Sequence, residues 1–148
     1  MEFHALSMDA LSPAFWDLLL LADPSREMVL RYLVKGEIWA LTLHGELAAE
    51  AVVLPLSPTL CELKNLAVRE DLQKQGLGSA LVNQLAALYS TRFQEMLVGT
   101  SDSGVPFYEN LGFSLSHRIE NFFVDHYPEP IYEDGHQCID MICLKRVL

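Results

Sequence analysis

Apolar and polar residues alternate in the first half of the chain with the period of β-strands. Residues 3–7 predict a short first strand, and Glu37–Leu43 with residues 47–55 predict a hairpin that turns at 44–46. A further run, Leu60–Val68, ends in consecutive apolar residues and predicts a largely buried strand. The first half of the chain is therefore expected to form an antiparallel sheet.

Three helices are predicted within the first 90 residues. Residues 13–21 predict a helix with Ser12 as its N-cap. A second predicted helix runs to about Lys35, where Gly36 stops it. The third, residues 79–89, follows the buried strand closely. The order strand, turn, helix at this point is the one around which the other elements are arranged.

A crossover unit is predicted next. Residues 96–100 form a short apolar run that is typical of a buried parallel strand. A strand, a helix and a parallel strand connected in this order form a right-handed unit with the helix on one face of the sheet. A short helix then begins at Ser103 or Val105, and Gly112 closes it.

The last third of the chain predicts two strands, residues 114–124 and residues 138–148. They are separated by a long polar and aromatic loop at 125–137. Loops of this length usually bind something or move, and acidic and aromatic side chains here would attract a cationic amine. A solvated hairpin connection explains the segment equally well.

Length and composition narrow the class of protein. The chain has 148 residues, 51% of them hydrophobic, so we expect one folded domain over residues 1–148. No apolar run reaches the roughly 18 residues that a membrane span needs, and the first residues lack the basic start of a secretory signal. Cys61, Cys138 and Cys143 are odd in number and unevenly spaced, which favours free thiols in the cytoplasm.

Charge bears on the partners that the chain can have. The formal net charge of −10 argues against nucleic acid and permits a cationic substrate, although an acidic surface mainly keeps a protein in solution. The histidines and cysteines show no spacing of metal ligands, so no metal is expected. A homodimer and a monomer are both compatible with the sequence.

The turn after the buried strand is rich in glycine. Residues 73–78 read Gln-Lys-Gln-Gly-Leu-Gly. The first turn of a helix has free N–H groups, and Gly76 and Gly78 have no side chains to keep an anion away from them. Lys74 adds positive charge nearby. The turn predicts a phosphate-binding loop, although a Gly-x-Gly pair alone is also typical of a tight strand-to-helix connection.

This turn resembles the acetyl-CoA loop of the GNAT family of N-acetyltransferases, written Arg/Gln-x-x-Gly-x-Gly/Ala, which Gln73, Gly76 and Gly78 match in full. The resemblance implies that the loop amides hold the pyrophosphate of acetyl-CoA, the cosubstrate. It also implies that the strand before the loop pairs with the pantetheine arm through Leu66 and Val68. The cofactor contacts expected from the resemblance are Leu66, Ala67, Val68, Gln73, Lys74, Gln75, Gly76, Leu77, Gly78, Ser79 and Ser101.

A second stretch, residues 107–113, is similar to another signature of this family, an aromatic or aliphatic residue followed by Tyr-Glu-x-x-Gly-Phe. In the family the tyrosine hydroxyl protonates the departing thiolate, and that role falls to Tyr108. A phenol with a pKa of ~10 stays protonated at neutral pH. Without the motif, packing against the sheet would explain Tyr108. Ser101 stands where the family often has an asparagine, and its hydroxyl reaches less far.

Glu62, on the central strand, is the candidate general base. Histone-type members of the family carry a catalytic glutamate at a similar place. A carboxylate in a partly apolar cleft has a raised pKa, which suits it to take a proton from an amine. Lys64 lies two residues along the same strand, so a simple ion pair explains Glu62 as well. Water-relayed deprotonation without a dedicated base is a further alternative.

Together these features predict a mixed α/β (α+β) domain of the GNAT type, with a mostly antiparallel central sheet of six to seven strands flanked by about four helices. The function implied is transfer of an acetyl group from acetyl-CoA to a primary amine by direct attack. The acceptor is either a small cationic amine or a protein amino group. Two alternatives stay open: an acyl-CoA sensor without catalysis, and a structural subunit with a fortuitous glycine loop.

Overall fold

Seven strands form one sheet in the computed structural model, which describes residues 1–148. Two further short strands form a separate hairpin. The strands are β1 (Glu2–Leu6), β2 (Glu37–Leu43), β3 (Glu46–Pro55), β4 (Leu60–Val68), β5 (Glu95–Thr100), β6 (Ser114–Ile119), β7 (Tyr132–Glu133), β8 (His136–Gln137) and β9 (Met141–Val147). The order in the main sheet is β1-β2-β3-β4-β5-β9-β6, and β7 pairs with β8.

Five α-helices lie between the strands. Serine caps fix the first two starts, since Ser12 Oγ accepts a hydrogen bond from Phe15 N at 3.1 Å and Ser25 Oγ one from Met28 N at 3.2 Å. None of the helices has the length and apolar character that a membrane span requires. The helices are α1 (Pro13–Ala22), α2 (Arg26–Leu33), α3 (Leu77–Tyr89), α4 (Val105–Asn110) and α5 (Phe122–His126).

All neighbouring strands of the main sheet are antiparallel except β4 and β5, which α3 connects as the predicted crossover. The parallel pairing joins only the first four residues of β4, Leu60 to Leu63, with residues 95–98. Residues 64–68 continue along β3 but have no strand partner on the β5 side. The sheet therefore opens in its middle.

A bulge in β4 marks the same point. Val52 pairs with Asn65 and Val53 with Leu63, so Lys64 is an extra residue in β4. Such a bulge bends a strand and redirects its side chains, which is common beside functional sites. Here it coincides with the divergence of β4 from β5.

The sheet has an apolar core on each face. Leu81, Leu85 and Tyr89 of α3 pack on one face in the larger cluster. Phe15 and Leu19 of α1, together with residues of α2, pack on the other. The glycine loop connects the end of β4 with the start of α3. Buried side chains therefore hold the elements on both sides of the loop.

The C-terminal third differs from the sequence prediction. Residues 114–124 were expected to be one strand, but β6 ends at Ile119 and α5 begins at Phe122. Asn121 takes a left-handed conformation with φ +57°, and its N–H donates to Asp140 Oδ1 at 2.9 Å. This contact with a distant carboxylate ends the strand, so the prediction for the last part of that segment is wrong.

The segment predicted as a loop at 125–137 is partly ordered into elements. It contains the end of α5 and the hairpin of β7 and β8, whose turn at Asp134 and Gly135 has positive φ angles. The last strand begins at Met141 rather than at residue 138. The solvated hairpin weighed as an alternative is therefore present, and it also contributes to a cavity described below.

Candidate functional site

The glycine loop borders a cavity of about 680 Å³, which we call the loop cavity. It lies between the end of β4, the loop and the first turn of α3, with the end of α1 and Phe107 completing its wall. Gln75 and Ser101 of the predicted cofactor contacts do not line it. Those that do are Leu66, Ala67, Val68, Gln73, Lys74, Gly76, Leu77, Gly78 and Ser79.

The start of α3 is suited to an anion. Gly76 is its N-cap with φ +84°, and no side chain caps the helix. The first turn contains no acidic residue, so no carboxylate competes with an anion for the N–H groups at 77–79 and the positive end of the helix dipole. A Cβ placed on Gly76 would meet no atom within 4 Å, so the glycine is needed for its backbone angle and leaves the approach open. These groups fit a diphosphate.

Gly78 and Gln73 connect the loop to neighbouring elements. A Cβ on Gly78 would lie 3.4 Å from Phe107 Cζ and 3.6 Å from Val68 Cγ2, so α3 packs closely on its neighbours there. Gln73 Nε2 donates to the carbonyl oxygen of Val68 at 3.0 Å. The side chain of Gln73 therefore fastens the loop to the end of β4.

A second cavity of about 280 Å³, the central cavity, occupies the opening between β4 and β5. It shares Leu21, Ala22 and Leu66 with the loop cavity, so the two are adjacent. Its wall comes from the start and end of the chain as well as from the sheet. The other lining residues are Asp23, Pro24, Leu63, Lys64, Asn65, Val98, Gly99, Thr100, Ser101, Tyr108, Phe123, Tyr127, Ile131, Glu133, Cys138 and Met141.

Tyr108 is brought into the central cavity by α4. Its ring packs edge-on against Phe107 and Phe113, with centroids 5.0 and 5.5 Å away. Burial raises the pKa of the Tyr108 hydroxyl above that of an ordinary phenol. The hydroxyl is therefore protonated at neutral pH, on a residue that lines the central cavity.

Asp23, just after α1, is held by three hydrogen bonds. Tyr32 Oη donates to its Oδ2 at 3.1 Å, and Tyr127 Oη and the N–H of Ser25 donate to its Oδ1 at 2.9 and 3.2 Å. Tyr32 in turn accepts a bond from Asn65 Nδ2 at 2.9 Å. This network connects α1, α2, β4 and the segment after α5 around one carboxylate.

Glu133 of β7 is the second carboxylate of the central cavity. Burial acts to raise its pKa, but hydrogen bonds from Ser101, Ser103 and Cys138 outweigh this and hold the pKa below its usual value. The hydroxyl of Ser101 donates to Glu133 Oε1 within the central cavity, and its contact with the cofactor stays a prediction. Glu133 is thus ionised at neutral pH.

Glu62 lines neither cavity. Its Oε2 lies 3.6 Å from Lys64 Nζ, so the ion pair weighed from the sequence is present. Burial raises the pKa of Glu62, and the charge of Lys64 offsets this only in part. The raised pKa suits a base, and the role of Glu62 in proton transfer stays a prediction.

Sequence reasoning did not find Glu50. This glutamate of β3 is completely buried opposite Ala67, and neither carboxyl oxygen has a hydrogen-bond partner. Burial raises its pKa well above the usual value. A glutamate inside an otherwise apolar strand was the available signal. Asp23 and Asn65 were also missed, and nothing local to them points to a site.

The chain was compared with known proteins. The family model for the acetyltransferase (GNAT) domain matches residues 34–115. The uncharacterized N-acetyltransferase YvbK of Bacillus subtilis is 38% identical, over 87% of this chain and 86% of that protein. The crystal structure of a GNAT family acetyltransferase from Elizabethkingia anophelis with acetyl-CoA bound is 34% identical, with a TM-score of 0.94 over 99% of this chain and 97% of that one. A Bacillus subtilis acetyltransferase in complex with CoA is 34% identical, with a TM-score of 0.90 over 99% and 98%.

The chain belongs to the GNAT family of acetyltransferases. The predictions of the family, the fold and an acetyltransferase activity are confirmed by these similarities. The site contains no group of three or more histidine, cysteine, aspartate or glutamate side chains placed to hold a metal ion.

Proposed function

We propose that the protein transfers the acetyl group of acetyl-CoA to a primary amine. The observation that carries this proposal is the contact between the two cavities at Leu66 and the end of α1. The loop cavity offers free amides to a diphosphate, and the central cavity offers carboxylates and Tyr108 to an amine. Two relatives with acetyl-CoA or CoA bound support acetyl-CoA as the acetyl donor.

The cofactor would be held mainly by backbone groups. The N–H groups at 77–79 and the side chain of Lys74 would bind the diphosphate. Residues 64–68 of β4 have no partner strand on the β5 side, which leaves backbone groups for the pantetheine arm. When bound, acetyl-CoA supplies an acetyl group activated as a thioester.

Tyr108 is the proposed general acid. The acceptor nitrogen forms a bond to the acetyl carbon and gives up a proton, while the carbon–sulfur bond breaks and leaves a thiolate. Tyr108 gives its hydroxyl proton to that sulfur, and solvent returns a proton to the phenolate. Burial keeps the hydroxyl protonated until it is needed and raises the proton affinity of a nearby thiolate in the same way.

Glu62 is the proposed base that takes the proton of the amine. Because Glu62 does not line the central cavity, the proton would reach it through water or along the side chain of Lys64. If so, Glu62→Gln lowers kcat at least tenfold more than Lys64→Met, since only the first change removes the proton acceptor. Steady-state kinetics across pH 6 to 9 measure both variants. Equal losses of kcat in the two variants would mean that Glu62 only forms an ion pair with Lys64 and is not the base.

Gly76→Ala should weaken cofactor binding and also cost stability. Alanine at φ +84° is strained by about 1–2 kcal/mol, and its methyl group would stand beside the free amides. Gly45→Ala is the matched control, because Gly45 has φ +79° and is equally open but lies in the β2–β3 turn. Both variants should lose similar stability in urea melts, and only Gly76→Ala should raise the Kd for CoA in calorimetry. Equal CoA affinity in both would exclude the loop as the diphosphate site.

A thiol-release assay tests the proposed activity as a whole. Acetyl-CoA is mixed with the protein and with polyamines, amino sugars or peptides, and free CoA is measured. Release that depends on the amine supports an N-acetyltransferase. Binding of acetyl-CoA without release by any of these amines would support the sensor instead, and absence of binding would support the structural subunit.

A further inference from the structure

One amine of the protein itself lies in the central cavity. Lys64 is the only lysine or arginine among the lining residues, and it shares the cavity with Tyr108, the proposed acid. The side chain of Lys64 is 28% exposed, so it is not sealed in the core. The other three lysines, Lys35, Lys74 and Lys145, do not line this cavity. A primary amine of the chain thus stands where an acceptor amine is expected to bind.

The position of Lys64 in β4 puts it at the far end of the proposed path of the cofactor arm. Lys64 is the extra residue of the bulge, and it directly follows Leu63, the last residue of β4 that pairs with β5. Val68, at the other end of the run 64–68, is fastened to the glycine loop by Gln73. The run covers about 13 Å of strand. An arm that starts at the diphosphate site and follows this run would therefore bring its thioester toward Lys64.

Lys64 has a proton acceptor beside it. Glu62 Oε2 lies 3.6 Å from Lys64 Nζ, which is longer than a direct hydrogen bond. Burial raises the pKa of the Glu62 carboxyl, and the charge of Lys64 offsets this only in part. A carboxylate with a raised pKa takes a proton from an ammonium group more readily than an ordinary one does. The group that pairs with Lys64 is therefore also suited to free its lone pair.

The contacts of the Lys64 amine leave it mobile. Besides Glu62, its neighbour is the ring of Tyr32, whose centroid lies 5.6 Å from Nζ. Neither an ion pair at 3.6 Å nor a cation–π contact fixes the direction of an ammonium group. A lysine amine also sits on a flexible four-carbon stem. The amine can therefore leave Glu62 and turn toward a thioester in the same cavity.

We propose that Lys64 is a site of self-acetylation. Glu62 takes a proton from the Lys64 ammonium group, and the free Nζ forms a bond to the acetyl carbon of acetyl-CoA. The carbon–sulfur bond breaks, and Tyr108 gives its proton to the departing sulfur. Solvent takes the second proton of the nitrogen and the proton on Glu62, and it returns one proton to Tyr108. The products are acetyl-lysine, CoA and one proton. This inference rests on the proposed acetyl transfer and adds a modification site to it.

Acetylation of Lys64 would change the site itself. The resulting amide carries no charge, so the ion pair with Glu62 is lost. The charge of Lys64 is the main influence that lowers the pKa of Glu62, so this pKa rises further in the modified protein. The added acetyl group also takes up part of a cavity of only about 280 Å³. The modified protein thus has less room for an acceptor amine.

Mass spectrometry of the digested protein tests the site. Wild type is incubated with isotopically labelled acetyl-CoA and no added amine, and the acetylation of each lysine is followed with time. We expect Lys64 to be acetylated at least about tenfold faster than Lys35, which is exposed and lies in no cavity with Tyr108. Acetic anhydride needs no active site and should label Lys35 faster than Lys64. Reaction of acetyl-CoA with Lys64 no faster than with Lys35 would overturn the inference.

Variants separate catalysis by the site from chemical reactivity. Lys64→Arg keeps a positive charge beside Glu62 but has no amine, so the peptide that contains it should take up no acetyl group. Tyr108→Phe should slow acetylation of Lys64 by about 10²-fold or more and leave that of Lys35 unchanged. Tyr132→Phe, outside both cavities, should change neither rate. An unchanged rate at Lys64 in Tyr108→Phe would mean chemical acetylation and contradict the inference. Unlabelled acetyl groups already present at Lys64 after purification are compared between the same variants.

The same experiment distinguishes this inference from the proposed function. Release of CoA with an added amine, but no acetyl group on Lys64, would contradict self-acetylation alone. Binding of acetyl-CoA with no transfer to Lys64 or to any added amine would contradict the proposed function as well. The rate per molecule should not depend on protein concentration, because Lys64 lies in the cavity of its own chain. A rate that rises with protein concentration would mean transfer between molecules and would also overturn the inference.

Discussion

Replacing Tyr108 with phenylalanine should lower kcat by about 10²- to 10⁴-fold and leave the Kd for acetyl-CoA almost unchanged. The ring that packs against Phe107 and Phe113 stays, so the wall of the central cavity is preserved. Only the hydroxyl that protonates the sulfur is lost. Steady-state kinetics give kcat, and calorimetry gives the affinity for the cofactor.

Tyr132→Phe is the control for this prediction. Tyr132 is 63% exposed and lines neither cavity, so removing its hydroxyl should leave kcat unchanged. Thermal melts establish that both variants remain folded. Full turnover by Tyr108→Phe would remove the proposed general acid and leave Tyr108 as a packing residue.

Replacing Glu50 with methionine should stabilise the fold, and more so as the pH rises. In the folded protein burial raises the pKa of Glu50 well above its value in the unfolded chain. The folded state then holds a proton that the unfolded state releases, so the wild type loses stability as pH rises from the unfolded pKa of ~4.3 toward the folded one. Methionine has a similar shape and no proton to lose.

The size of this effect follows from the linkage relation. The advantage of Glu50→Met should grow by about 1.4 kcal/mol per pH unit wherever Glu50 is protonated in the fold and ionised in the unfolded chain. Urea melts at several pH values measure the free energy of unfolding. Glu46→Met is the control, because Glu46 is exposed on the same strand. A difference between wild type and Glu50→Met that does not change with pH would mean that Glu50 ionises normally.

The elements of the first 113 residues were predictable because their signals are local. The hairpin of β2 and β3, the two serine caps and the run of β4 each follow from the periodicity of a few neighbouring residues. The glycine loop belongs to the same group. A strand, a turn and a helix that are consecutive in the chain define the loop cavity, so a short motif was sufficient to place it.

The end of β6 was not predictable in this way. The apolar residues at 122–124 suit a strand as well as a helix, so periodicity could not separate the two. Asp140 decides, because it binds the N–H of Asn121 at 2.9 Å and the guanidinium of Arg118 at 2.8 Å. A contact across about twenty residues leaves no periodic signal in the segment that it ends.

By itself, the sequence determined the family, the order of the elements and the two motifs that contribute the glycine loop and Tyr108, because each is written in consecutive residues. Only the tertiary structure decided the central cavity. Asp23, Asn65 and Glu133 are far apart in the chain and meet because β4 leaves β5 after Leu63 and the segment after β6 closes over the gap. Burial, which raises the pKa of Glu50 and leaves Asn65 Oδ1 without a donor, likewise arises only when these distant segments pack together.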